Sequence, residues 1–167
     1  MGKITLYRYN PGWPACYKKQ VERFHEWIPK RINYKMMHIG STAIPGCITS
    51  GNLDIVIAAQ SKLDLITIRD VLMGNGYRFK QEMSSLHHYV VVKGINKTAS
   101  IYVHIIHATN PILRDMVLLR DHLIRHNRDR EVYNEIRVRT INLPNITLQG
   151  YNNEKIKYQK EILQKLR

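Results

Sequence analysis

A chain of 167 residues with 44% hydrophobic content is long enough to bury one self-sufficient core and too apolar to stay disordered. Its formal net charge of +13, from 26 Lys and Arg against 13 Asp and Glu, favours phosphate-bearing partners such as nucleic acid, nucleotides or an anionic membrane surface. Two cysteines, Cys16 and Cys47, argue against a disulfide framework or a Cys/His zinc module, and neither a membrane-length apolar run of roughly 18 to 20 residues nor a signal-peptide core is present.

These exclusions predict a soluble cytoplasmic protein of one domain, residues 1–167. The basic excess gathers toward both ends of the chain without forming a tail. No RNP, zinc-finger or basic-zipper pattern accompanies it, so an ordinary basic surface and a polyanion groove are both compatible with the composition.

In chain order, residues 4–9 (ITLYRY) alternate weakly and run into Pro11, as a short strand or extended arm does. Pro14 suits a first helical turn, and Tyr17, Val21, Phe24, Trp27 and Ile28 recur at spacings of three and four. The helix should stop near Pro29, because proline disfavours helical geometry in the residue before it. Residues 34–38 read as a strand running into a Gly40-Ser41 turn, and 53–59 as a buried strand of Leu, Ile, Val and Ala. Ser61-Lys62-Leu63-Asp64 has the form of a capping box and opens a helix that ends at Gly74-Asn75-Gly76. Residues 77–83 follow, then 86–93 and 100–106, the last two an antiparallel pair joined by a turn at 94–97. After Asn110-Pro111 the pattern is helical over 112–126, 128–141 and 153–166, with a break at Leu143-Pro144.

The chemistry gathers in HIGSTAIPG (38–46) and LDI (53–55). A Gly-Ser turn after a strand offers backbone N–H groups and a hydroxyl to an anion, since glycine allows close approach. Asp54 stands inside an apolar strand, where a carboxylate is costly unless something pairs with it. A metal ion held there against a bound phosphate would satisfy it, giving the rudiments of a site for metal-dependent phosphoryl or nucleotidyl transfer.

These two segments resemble the signature of the GrpB-like family, related to the nucleotidyltransferase superfamily. Supporting matches are Tyr9-Asn10-Pro11 with Trp13-Pro14, Gly76-Tyr77, Leu119-Arg120-Asp121-His122-Leu123, Tyr133 with Arg137, and Tyr151 with Lys155, in the family's order along nearly the whole chain. The resemblance implies a mixed α/β (α+β) fold: a nucleotidyltransferase-like mixed β-sheet flanked by helices, with a helical C-terminal portion.

It also implies a site. Asp54 and Ser41 would be catalytic, and Gly40, Ser41 and Thr42 would grip phosphate, with Arg120, Arg137 and Lys155 as a basic wall. Arg120 and Asp121 are equally compatible with a structural ion pair. Active members of the superfamily carry Asp-x-Asp on the strand and a third acid on a later one. Here Val56 replaces the second acid and the later strand offers His104. Asp54 alone suits one Mg ion completed by water and substrate phosphates, while Asp54 with His104 suits Mn, Zn or Fe better than Mg. Ser50 stands where relatives tend to keep lysine and cannot replace its charge.

His38 fits a role in orienting the turn better than that of a base. His87, His88, His104 and His107 fall on or beside neighbouring strands and could cluster. The expected activity is transfer of a nucleotidyl or phosphoryl group from a nucleoside triphosphate to an unknown acceptor. The alternative is a non-catalytic nucleotide- or RNA-binding module on the same scaffold.

Overall fold

The computed structural model describes residues 5–96 and 99–167. Among the described residues, five strands, β1 (Tyr34–Ile39), β2 (Leu53–Ala59), β3 (Arg78–Phe79), β4 (His88–Gly94) and β5 (Ser100–His107), are accompanied by five helices. The helices are α1 (Trp13–Trp27), α2 (Lys62–Gly74), α3 (Pro111–Arg125), α4 (Asn127–Ile141) and α5 (Leu148–Leu166), and short 3-10 turns lie at Ser41–Ala43 and Gln81–Met83. The strands form one sheet in the order β1-β2-β5-β4-β3. β2 and β5 run parallel, and every other neighbouring pair is antiparallel. The mixed α+β architecture with a helical end is the one the sequence predicts.

Apart from Asp54, β2 is continuously apolar because both of its faces are covered. Leu53, Ile55, Ile57 and Ala59 pack with Phe24 and Ile28 of the α1 side and with Leu65, Ile68 and Leu72 of α2. On the opposite face Val56 and Ala58 join Ile39 and Ile106, covered by Leu113 and Met116 of α3. Side chains alternate along a strand, so Asp54 shares the face of Val56 and looks toward the C-terminal helices. A third cluster of Ile44, Cys47, Leu123, Tyr133 and Ile162 docks those helices onto the segment after the Gly-Ser turn.

Local signals account for most boundaries. Ser61 Oγ accepts from the Asp64 backbone N–H at 3.1 Å, which starts α2, and α1 carries proline in its first turn and gives way to extended backbone at Ile28. Of residues 4–9, expected as a short strand or extended arm, Tyr7 makes an isolated bridge to Thr49, and Ile4 lies outside the described residues. Residues 77–83 hold a two-residue strand and then a 3-10 turn, in which Ser84 Oγ bonds Lys80 C=O and Val90 N–H.

Helix α5 starts at Leu148, ahead of the expected 153, because Thr147 caps it by accepting from Gly150 N–H at 3.0 Å. Gly150 and Asn152 are poor helix formers and hide that first turn from a propensity reading. The β4–β5 turn closes with Gly94 opposite Ser100, and Lys97 of the expected turn lies outside the described residues.

Candidate functional site

The antiparallel register of β1 and β2 sets Ile39 opposite Asp54, which brings the next residue, Gly40, onto the aspartate. Gly40 adopts φ 72° and ψ −173°, and a Cβ built on it would lie 2.4 Å from Asp54 Oδ2. Glycine is thus required twice here, for its backbone and for the space the carboxylate fills. The chain then turns through Ser41–Ala43, where Ala43 N–H bonds Gly40 C=O at 3.1 Å.

Asp54 is half-buried and makes no hydrogen bond or ion pair with a described residue. Burial pushes its carboxyl up to about 6, against the opposing charges of Lys155 and Arg137. Lys155 is also half-buried and has no ion-pair partner within 4.0 Å among the described residues. Its ammonium is lowered from the ordinary value by burial first and then by Arg137, with Asp54 opposing. The two groups therefore face one another electrostatically without contact.

A cavity of about 210 Å³ is lined by Gly40, Ser41, His104, Arg120 and Lys155 together with apolar side chains of α3. Arg120 is anchored, donating from Nη1 to His38 C=O at 2.9 Å and from Nε to Asp121 Oδ1 at 2.8 Å. The Arg120–Asp121 ion pair therefore forms, and it aims the guanidinium at the turn.

Asp54 does not itself line this cavity and borders it only through Gly40, and two further predicted residues lie elsewhere. Thr42 is fully buried, its Oγ1 bonded to His38 Nε2 at 3.0 Å. Arg137, 3% exposed, donates from Nε to Tyr151 OH at 2.7 Å and from Nη1 to Ile48 C=O. It ties α4 and α5 to the segment after the turn and reaches Asp54 only through its field.

His38 is held as the sequence suggests, stacked on Tyr17 with ring centroids 5.0 Å apart. Burial and the Arg120 charge lower it to about 4, so the ring is neutral at pH 7. Replacing Thr42 by Val should cost about 1 to 2 kcal/mol by leaving a buried ring nitrogen without its partner. Denaturant unfolding with an unchanged midpoint would show that the His38–Thr42 bond does not support the turn.

The four histidines separate into two pairs. His104 Nδ1 meets His88 Nε2 at 2.9 Å, with His104 lowered to about 3 by burial and His88. His87 and His107 pack edge to face with centroids 6.1 Å apart, and His107 Nε2 bonds Gln60 C=O at 2.6 Å. His104 stands opposite Val56, the position where a second carboxylate would be, and so lies diagonal to Asp54. Among the described residues no group of three or more His, Cys, Asp or Glu could hold a metal ion.

Sequence reasoning does not assign Tyr133 and Gln159 to the site. Both line the cavity, and Gln159 Nε2 donates to Tyr133 OH at 2.9 Å. The available signal is that Gln159 follows Lys155 by one helical repeat, which places the two on one face of α5. A larger groove of about 710 Å³ runs between the start of β1 and α3 and contains none of the predicted residues.

A mixed sheet with this Gly-Ser turn beside a strand aspartate defines a nucleotidyltransferase-like fold. The structure matches the crystal structure of conserved protein GrpB from Enterococcus faecalis with a TM-score of 0.82 at 18% identity, over 97% of this chain and 99% of that one. It matches the MgGTP-bound Cid1 poly(U) polymerase with a TM-score of 0.55 at 12% identity, over 80% of this chain and 44% of that one.

A GrpB protein family model matches residues 3–165, and the chain belongs to the GrpB family. A UPF0157 protein of Halalkalibacterium halodurans is 25% identical over 134 residues, 80% of this chain and 67% of that protein. The UPF0157 protein YqkA of Bacillus subtilis is 29% identical over 124 residues, 74% of this chain, which spans only 36% of the Bacillus protein. Among the described residues no helix is long and apolar enough to cross a membrane.

Proposed function

We propose that this protein transfers a nucleotidyl or related phosphoryl group from a nucleoside triphosphate to an acceptor, with a divalent metal at Asp54. The observation that carries the reading is an unpartnered, half-buried carboxylate seated on Gly40, beside a cavity lined by Ser41, Arg120 and Lys155. A carboxylate in that setting is costly unless a cation compensates it.

The donor set fits one hard cation, Mg or Mn, held by Asp54 with water and substrate oxygens as its other ligands. It does not fit two ions, because Val56 supplies no oxygen. Zn or Fe would need His104 as well, through Nε2, since Nδ1 is engaged by His88. When bound, the metal supplies charge neutralisation to the transferring phosphate.

The chain's own residues do the positioning. Ser41 donates its hydroxyl to a phosphate oxygen, Lys155 adds an ammonium with no competing ion pair among the described residues, and Arg120 arrives already oriented by His38 and Asp121. The acceptor hydroxyl's oxygen bonds to phosphorus, its proton passing to water, as the bond to the departing pyrophosphate or nucleotide breaks, and the cavity's donors hold the charge that develops. A cytoplasmic setting, where triphosphates and reduced thiols coexist, suits the free Cys16 and Cys47.

A second reading, a nucleotide- or RNA-binding module without turnover, is favoured by Val56 and the neutral His104 where acids would stand. Cid1 has been crystallised with MgGTP and with its short product ApU, so both kinds of ligand are worth testing. The experiment measures metal-dependent binding of each triphosphate, then labelled-phosphate transfer to RNA, protein and small metabolites. Transfer with release of pyrophosphate, or of the nucleotide where a phosphoryl group moves, supports the enzyme. Tight binding with no transfer to any acceptor class moves the function to the binding module.

A further inference from the structure

We propose that the site recognises the phosphate chain of its ligand and not the nucleobase, so that its substrate class is any nucleoside triphosphate and inorganic triphosphate occupies the same cavity. This rests on the reading above that Ser41 and Lys155 hold phosphate.

Size is the first argument. The cavity of about 210 Å³ falls below the roughly 300 Å³ at which pockets begin to enclose a drug-sized ligand. A whole nucleoside triphosphate exceeds that room, whereas its triphosphate chain does not. The phosphate chain would fill the space beside the Gly-Ser turn and leave the base outside.

Chemistry is the second. Two cations, Arg120 and Lys155, line the space, and none of the lining side chains is a carboxylate. The Ser41 and Tyr133 hydroxyls can each donate, and the Gln159 amide is held in place by Tyr133. Arg120 keeps guanidinium N–H groups beyond those given to His38 and Asp121. Such a surface matches the oxygens of a polyphosphate, which only accept.

Strong selection among bases needs buried polar groups that the wrong base leaves unpaired. Apart from the groups named above and the neutral His104, the lining is apolar, with Ile39, Ile44, Met116, Leu119 and Leu123, and it offers a base left outside the cavity no further polar partner.

The test is competition on the wild-type chain with Mg or Mn present: displacement of a fluorescent ATP analogue by ATP, GTP, CTP, UTP and inorganic triphosphate. The five competitors should fall within about tenfold of one another. Lys155→Met should weaken all five by a common factor, with folding checked by its thermal transition. One base preferred by more than about tenfold, inorganic triphosphate weaker than ATP by more than that factor, or a Lys155→Met loss confined to one base would each overturn the proposal. Base-selective binding would leave the transfer reading standing and remove only this inference. Absence of binding by every competitor would remove both.

Discussion

Gly40→Ala is expected to cost about 3 kcal/mol or more and to remove metal-dependent nucleotide binding together with it. A φ of 72° with ψ near −173° is glycine territory, and other residues there are strained by about 1 to 3 kcal/mol. The added methyl group would also meet Asp54 Oδ2 at 2.4 Å and its Cγ at 3.1 Å. Asp54 cannot retreat, because its backbone is paired with Ile39 on one side and Tyr102 on the other. The side chain must instead rotate away from the turn, taking the candidate metal ligand with it.

Gly74→Ala is the control, since nothing lies within 4 Å of a Cβ there and alanine favours a helix. Urea unfolding of the two variants reads the difference. In a Gly40→Ala/Asp54→Gly double variant the collision disappears and only the backbone strain remains, so part of the loss should return. A Gly40→Ala midpoint equal to that of wild type would refute the close seating of Asp54 on the turn.

That seating also marks the limit of what the sequence reveals. HIGSTAIPG and LDI are legible because a glycine-serine turn and a charge in an apolar strand are local anomalies. The register that sets Asp54 opposite Ile39 is a non-local property of two paired strands, so the glycine's second role appears only in three dimensions. Strand alternation places His104 and His107 on different faces, but it does not reveal that His88 is the partner of His104. That pairing depends on where β4 begins.

On α4, charged residues surround the helix and no apolar stripe identifies the buried face. Arg137 therefore reads as part of an exposed wall, although its donors are spent on Tyr151 and Ile48. Thr42 likewise reads as part of a phosphate turn, whereas its hydroxyl is turned inward to His38. Lys155 is legible through a Tyr-x-x-x-Lys pattern. Its neighbour Gln159 has no such label and enters the site because α5 docks on residues 44–47 through Ile162.

Asp54→Asn is expected to stabilise the protein at pH 8 while abolishing transfer. The carboxyl ionises at about 6 in the folded chain against an ordinary 3.8. Between those values the native state holds a proton that the unfolded state has lost, so stability falls as pH rises through this window. The cost is fully present above about pH 6 and gone below about pH 4. A displacement of about two units corresponds to roughly 3 kcal/mol at 1.36 kcal/mol per unit, and partial exposure of the side chain brings the expected gain to about 1 to 3 kcal/mol.

The neutral asparagine escapes that cost. The variant's unfolding midpoint should therefore exceed wild type at pH 8 and converge with it near pH 4. Mg or Mn should raise the wild-type midpoint at pH 8, since a ligand that binds only the native state stabilises it, and should leave the midpoint of the Asp54→Asn variant unchanged. Pyrophosphate release should vanish in the same variant. A carboxylate kept at a net cost to the fold is what a binding or catalytic role requires and a packing role does not. An Asp54→Asn protein less stable than wild type at every pH would mean that the charge serves the fold, and the site would then have to be sought elsewhere.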